Sequence, residues 1–171
     1  MSRQPSFAHA FEQRIAIRRA AQRDAAPLRR LLRAYFRAIQ DAVGPQDAKA
    51  AAAFYLRPPA AAWLAWVDGM PAGCVGMRPH GRRACELKHL YVLPRARGLR
   101  LGRRLVRAAH RRARCAGYQA IYLDTLVSMA AAQTLYVREG YVTCAPYYHD
   151  GVRRIFMRKS FANANPTVQR A

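Results

Sequence analysis

The chain is short of acid. Its 171 residues include only nine Asp and Glu against 30 Lys and Arg, a formal net charge of +21. Any mechanism that needs a carboxylate base therefore has few candidates. Lysine is scarce as well: Lys49, Lys88 and Lys159 are the only ones, so the cationic surface is almost wholly arginine. The four cysteines, Cys74, Cys85, Cys115 and Cys144, lie far apart with no CxxC spacing. That excludes a zinc ribbon and argues against a disulfide framework. Long apolar runs are missing, which leaves no segment fit to span a membrane. The opening MSRQPSFAHAFEQR has no apolar core of its own and does not read as an export signal, which makes the cytoplasm the default expectation. No internal repeat is present.

What is there suffices for one folded domain. The length suits a single core, and 52% hydrophobic residues can fill it. We expect a loose arm over 1–12, one domain over 13–161 and a loose polar tail over 162–171. The cationic excess has two readings: a polyanionic partner such as nucleic acid or a phosphate-rich cofactor, or a solvated surface that uses arginine for its charge.

One stretch organises the rest. Residues 86–107 read ELKHLYVLPRARGLRLGRRLVR: an apolar strand, a proline break, a basic turn with glycine, and a helix. A glycine turn entering a helix is an anion site, because unpaired N–H groups and the helix dipole converge there. Gly98 and Gly102 stand four apart, among Arg95, Arg97, Arg100, Arg103 and Arg104. This suits a phosphorylated ligand.

Around it the pattern alternates between sheet and helix. RIAIRR at 14–19 predicts a strand. Asp24 is read as an N-cap, and Leu28, Leu31, Leu32, Tyr35, Phe36 and Ile39 predict a helix to about Val43. An Ala-rich helix follows at about 46–56. Strands are expected at 63–67, 72–77 and 84–93, joined by turns at Asp68-Gly69 and Gly81-Arg82. The helix at about 100–116 buries Gly102, Leu105, Val106, Ala109, Ala113 and Ala116. It shows Arg100, Arg103, Arg104, Arg107, Arg111 and Arg114 on the opposite face. AIYLDTL at 120–126 is a strand reached by a right-handed parallel crossover. Ser128 is read as the cap of a helix through about Glu139, and strands follow at 141–145 and 153–161.

The order β-α-α-β-β-β-α-β-α-β-β resembles that of the GCN5-related N-acetyltransferase (GNAT) family. The family's Gln/Arg-x-x-Gly-x-Gly/Ala signature, preceded by V-x-P, appears here as Val92-Leu93-Pro94 and then Arg97-Gly98-Leu99-Arg100-Leu101-Gly102. Its later A-x-x-L-Y-x-x-x-G-F/Y motif appears as Ala132 to Tyr141. The resemblance covers about 14–161. It implies an α/β fold with a mixed, mostly antiparallel sheet of about seven strands flanked by about four helices. It also implies transfer of acetyl from acetyl-CoA to an amine of a small molecule or a protein, with no metal, in a monomer or homodimer. By the same resemblance the backbone of Leu90, Tyr91 and Val92 lines the acetyl-pantetheine arm. The N–H groups of Arg97, Gly98, Leu99, Arg100, Leu101, Gly102 and Arg103 hold the pyrophosphate. Ser128 stands where many members carry an Asn that contacts pantetheine, and Tyr136 where many carry the Tyr that protonates the departing thiolate. Arg100 departs from the pattern, which usually has Gly there. Its Cβ is expected to crowd the turn, and its guanidinium to offset this by binding phosphate.

Direct attack by an amine needs three things. The amine must lose a proton, the oxyanion needs an N–H donor, for which a strand N–H near Val92 is the candidate, and the thiolate needs a proton. Tyr136 suits the last task; its other reading is a core aromatic. Glu86 is the candidate general base, a carboxylate within an apolar strand and, counting six residues, on the face of Val92. Its other reading is an ion pair with Lys88 or an arginine. Asp124 carries the same ambiguity. His89 falls on the face opposite Glu86 and is read as structural. Tyr147, Tyr148 and His149, in the last strand connection, either border the acceptor site or pack. Two other functions stay open: a nucleic-acid module using the arginine stripe, though without a helix-turn-helix or other recognised motif, and a family member that binds coenzyme A without catalysis.

Overall fold

A computed structural model describes residues 13–161. The expected arm at 1–12 and tail at 162–171 lie outside the described residues. Seven strands form one sheet: β1 (Ile15–Arg19), β2 (Ala61–Val67), β3 (Met70–Pro79), β4 (Ala84–Val92), β5 (Ala120–Leu126), β6 (Val142–Thr143) and β7 (Arg154–Ser160). Four helices flank it: α1 (Ala25–Val43), α2 (Ala48–Tyr55), α3 (Leu101–Cys115) and α4 (Ala130–Arg138). The sheet order is β1-β2-β3-β4-β5-β7-β6, and β4–β5 is the one parallel pair.

Two cores lie on the two faces. On one, Leu28, Leu31, Leu32, Phe36 and Ile39 of α1 meet Leu64 and Cys74 of the sheet. Their three- and four-residue spacing puts them on one side of the helix. On the other face Leu101, Leu105, Val106, Ala109 and Ala113 of α3 pack on Val75, Cys85, Leu87, Ile121 and Leu123. Each large apolar side chain buried there contributes about 1.5–3 kcal/mol. Ala116, expected in this face, is exposed, because the helix already ends at Cys115.

Three local expectations need correction. Asp24 does not cap α1 with its side chain. It turns back to accept from the Ala21 N–H at 2.9 Å and to pair with Arg18 at 2.8 Å. Ser128 does not cap α4, which begins later, after Met129. The start of α4 is tied down instead by Gln133, whose Nε2 donates to the carbonyls of Leu126 at 3.1 Å and Val127 at 2.9 Å. The strand expected at 141–145 shrinks to Val142–Thr143, since β6 is an edge with only β7 to pair with.

Two irregularities of β4 shape the site. First, it pairs with β5 only over Ala84–Glu86, opposite Ala120–Tyr122. Beyond Glu86 the two strands part, and the edge of β4 on that side loses its ladder partner. Second, β4 carries a bulge. Cys74 faces Tyr91 and Gly76 faces Lys88, so Val75 stands opposite both His89 and Leu90. His89 takes φ +55°, rare for a residue with a Cβ. The extra residue inverts the alternation. Leu90 and Val92 therefore pack with the α3 core, while Tyr91 packs with the α1 core.

Candidate active site

The parting of β4 and β5 opens a cavity of about 370 Å³. Tyr35, Phe36 and Ile39 of α1 and Tyr55 of α2 wall one side, and Lys88, His89 and Leu90 of β4 another. Asp124 and Thr125 come from β5, Tyr136 from α4, and Tyr148, Asp150 and Arg154 from the last connection and β7. Residues of seven elements thus meet in one place.

Tyr136 is almost fully buried, and burial pushes its hydroxyl above the usual tyrosine range. It is protonated at neutral pH. Its ring packs against Tyr141 at 5.7 Å between centroids while the residue lines the cavity. The two readings open in the sequence, core aromatic and site residue, describe the same side chain.

Glu86 behaves otherwise. Its side chain is fully buried and every oxygen is engaged. Tyr147 donates its hydroxyl to Oε1 at 2.8 Å, Arg78 donates Nε to Oε2 at 2.6 Å, and the Lys88 ammonium stands 3.6 Å from Oε1. It does not line the cavity. The expectation that Glu86 and Val92 share a face fails at the bulge. Val92 joins the α3 core, and Glu86 points the opposite way from its neighbours Cys85 and Leu87, which are in that core. The same bulge brings His89 round to the side of Glu86, against the expectation. His89 lies among Tyr35, Phe36 and Tyr55, with ring centroids 5.5, 5.0 and 5.5 Å away. Its Nδ1 is buried without a partner among the described residues. Burial, reinforced by Lys88 and Arg78, pulls its pKa down to about 3, so the ring is neutral. No pattern in the sequence announces a bulge here, and simple alternation misplaces this residue.

Asp124 resolves to the ion-pair reading. Lys88 and Arg154 each take one of its oxygens, Arg154 through Nη1 at 2.8 Å. Burial works to raise its pKa, but the two cations prevail and hold it below the usual carboxylate range. Arg154 also grips Asp150, at 2.7 Å through Nη2. Of the three candidates in the last connection, Tyr148 lines the cavity, Tyr147 holds Glu86 from behind the wall, and His149 does neither.

The other end of the site is the turn before α3. A short 3-10 turn at Pro94–Ala96 precedes it, Gly98 takes φ +86°, and Arg100 is left-handed at φ +56°, ψ +23°. No side chain caps α3, so its first N–H groups have no side-chain partner. This is the free backbone array that a pyrophosphate requires. Arg100 has its physical explanation here. The position calls for glycine because of its backbone angles, which cost a residue with a Cβ about 1 kcal/mol. Gly102 has a different reason to be glycine. A Cβ there would sit 3.2 Å from Leu135 Cδ2, so the position lets α4 approach α3. Leu101 is buried and Leu99 half-buried against the same core, so these two can offer only backbone to a ligand. The Arg103 and Arg107 side chains are drawn away to Glu139 at 2.8 and 2.9 Å, which fastens α3 to the end of α4. Ser128 lies outside the main cavity, in a separate depression with Val127 and Val152.

The chain fits a coenzyme A group on its own geometry. The bare edge of β4 over 87–92 offers backbone hydrogen bonds to an extended amide-bearing arm, and the uncapped turn lies at the end of that edge. Among the described residues no helix is long and apolar enough to cross a membrane.

Comparison with known proteins points the same way. Residues 25–141 match the model of the Acetyltransferase (GNAT) family. An uncharacterized N-acetyltransferase of Schizosaccharomyces pombe is 40% identical over 92 residues, 53% of this chain and 56% of that protein. An IAA acetyltransferase of Azospirillum brasilense is 37% identical over 76 residues, 43% of this chain and 50% of that protein. The chain thus spans about half the length of the curated relatives it matches. A putative acetyltransferase from Salmonella typhimurium, solved with its cofactor acetyl-CoA, superposes with a TM-score of 0.71 at 20% identity, covering 91% of this chain and 99% of that one. A fold with a parted β4–β5 pair, an uncapped basic turn and a matching family model over more than half its length has one assignment: the chain belongs to the GNAT acetyltransferase family.

Proposed function

We propose that the protein is an acetyl-CoA-dependent N-acetyltransferase in which an amine attacks the thioester directly. The observation that carries this reading is the cavity between β4 and β5, open beside the bare β4 edge and lined by the Tyr136 phenol. When bound, acetyl-CoA would supply the activated acetyl group. The turn at 98–103 would hold its pyrophosphate through N–H groups, the Arg97 N–H expected to join them being given instead to the Pro94 carbonyl at 3.2 Å, and the edge of β4 at Leu90, Tyr91 and Val92 would hold its pantetheine arm.

Tyr136 is the acid. Burial keeps its hydroxyl protonated but also weakens it as a donor, so proton transfer to the thiolate, of pKa about 8.5, is uphill and is completed by departure of the neutral thiol and re-protonation of the tyrosinate from water. Glu86 serves as a fixed negative charge that holds Arg78, Lys88 and Tyr147 in place, since no oxygen of it reaches the cavity. The amine loses its proton to water. The apolar wall of Tyr35, Phe36 and Tyr55 disfavours an ammonium in the cavity and lowers its pKa by desolvation.

The test is linkage. At one hundred times its dissociation constant, acetyl-CoA should stabilise the fold by about 2.7 kcal/mol, a rise in Tm of several degrees. Free thiol should appear only when a suitable amine is added. A Tm unchanged at millimolar acetyl-CoA rejects the reading.

A further inference from the structure

We propose that the acceptor is a small amine that also carries an anionic group, a carboxylate above all, seated against Arg78 with its apolar body on Tyr35, Phe36 and Tyr55. The proposal rests on the acetyl transfer proposed above.

The argument is a count of hydrogen-bonding partners around the cavity. Each carboxylate oxygen there already accepts at least one bond, including those of Asp150, the one carboxylate of the three that is 38% exposed. Glu86 accepts from Tyr147 and Arg78, with Lys88 close by. Asp124 accepts from Lys88 on one oxygen and Arg154 on the other. Asp150 accepts from Arg154 on both oxygens and from the Val152 N–H at 3.2 Å. The carboxylates of Glu86 and Asp124 also lie behind their cations. Their side chains are 0% and 4% exposed, against 44% for Arg78. What the cavity has to spare is donors. Of the five N–H donors of Arg78, only Nε–H has a partner among the described residues.

An acceptor recognised as a cation would meet arginine and lysine with no carboxylate in want of a partner. A polyamine or a bare alkylammonium is therefore a poor occupant. A carboxylate instead finds the free fork of Arg78, the side chain best suited to bind it in pairs of bonds. The position also fits. Arg78 stands opposite Glu86, six residues along β4 from Val92, so it lies about 20 Å or less from Val92 along the strand, on the side away from the α3 turn. The three rings on α1 and α2 give the body of the molecule an apolar wall, and the cavity of about 370 Å³ suits a small molecule.

Matched pairs test this directly. Phenylalanine and phenethylamine, tyrosine and tyramine, tryptophan and tryptamine, and histidine and histamine differ within each pair only in the carboxylate. Thiol release by the unmodified protein should give the acid member of the best pair a kcat/KM at least tenfold higher. In Arg78→Lys, which keeps a cation beside Glu86, KM for that member should rise about tenfold with kcat little changed, and the preference for the acid over the amine member should fall about tenfold. Equal or better use of the amines overturns the proposal. So does a protein whose Tm rises with acetyl-CoA but which releases thiol with neither member of any pair. If acetyl-CoA produces no Tm rise, the acetyl-transfer reading falls and the acceptor proposal falls with it. Should Arg78→Lys not fold, the comparison of pairs on the unmodified protein still decides.

Discussion

The cavity and the turn before α3 are made of different materials. At the α3 turn the groups that would meet a ligand are backbone: uncapped N–H groups after Gly98 and the bare edge of β4. At the Arg78 end they are side chains: a lattice of Arg78, Glu86, Lys88, Asp124, Arg154 and Asp150, with Tyr147 bracing it. Backbone sites depend on φ and ψ and so demand particular residues at fixed spacing. A side-chain lattice can be assembled from any strands that the fold brings together. The first kind of site can therefore be read from a motif, and the second cannot.

The largest effect that would test this contrast is at the lattice. Asp124→Ala leaves Lys88 and Arg154 without their shared, buried partner. It should lower stability by about 3–5 kcal/mol in urea unfolding. The same interaction has a pH signature. Because Asp124 titrates below the ordinary value of 3.8 in the fold, its contribution is complete above about pH 4 and is lost as pH falls through the lower, folded value. The variant should show a flatter acid limb than the parent. A loss under 1 kcal/mol would mean that the lattice is not what braces the acceptor end.

Tyr136 lines the cavity. Tyr136→Phe should lower turnover about 100-fold while leaving the acetyl-CoA-dependent rise in Tm intact. Unchanged turnover would remove Tyr136 as the acid and leave it a core aromatic.

The smallest effect is at the turn. Arg100→Gly relieves a left-handed residue and should raise stability by about 0.5–1 kcal/mol by thermal unfolding. If acetyl-CoA binds the variant more weakly despite this, the guanidinium contributes to the phosphate site. If binding tightens, the contrast stands, since the turn then works through backbone alone.

How much was legible follows the same division. The amphipathic spacing of Leu28 to Ile39 and of Leu101 to Ala113 located α1 and α3, because a helix face must bury every third or fourth residue. Proline, glycine and the arginine run marked the uncapped turn before α3 for the same kind of reason. Tyr136 was reached only through the motif it sits in. Glu86 was misplaced relative to Val92, and His89 set aside, because a bulge adds one residue to a strand without leaving a composition signal. Arg78 and Tyr55 were not singled out at all. Nothing near them in the chain reports the partners they meet across the sheet.

The order of elements, the family and the uncapped glycine-and-arginine turn before α3 were all legible in the chain, since each rests on local periodicity or on backbone angles that only certain residues tolerate. Tertiary structure alone decided which face of β4 each side chain occupies. It also decided that Glu86 is sealed behind Arg78 and Tyr147, and that the cavity keeps donors to spare but no free carboxylate. Those facts depend on strand register and on pairings between residues as far apart as Glu86 and Tyr147, and register is a property of the assembled sheet.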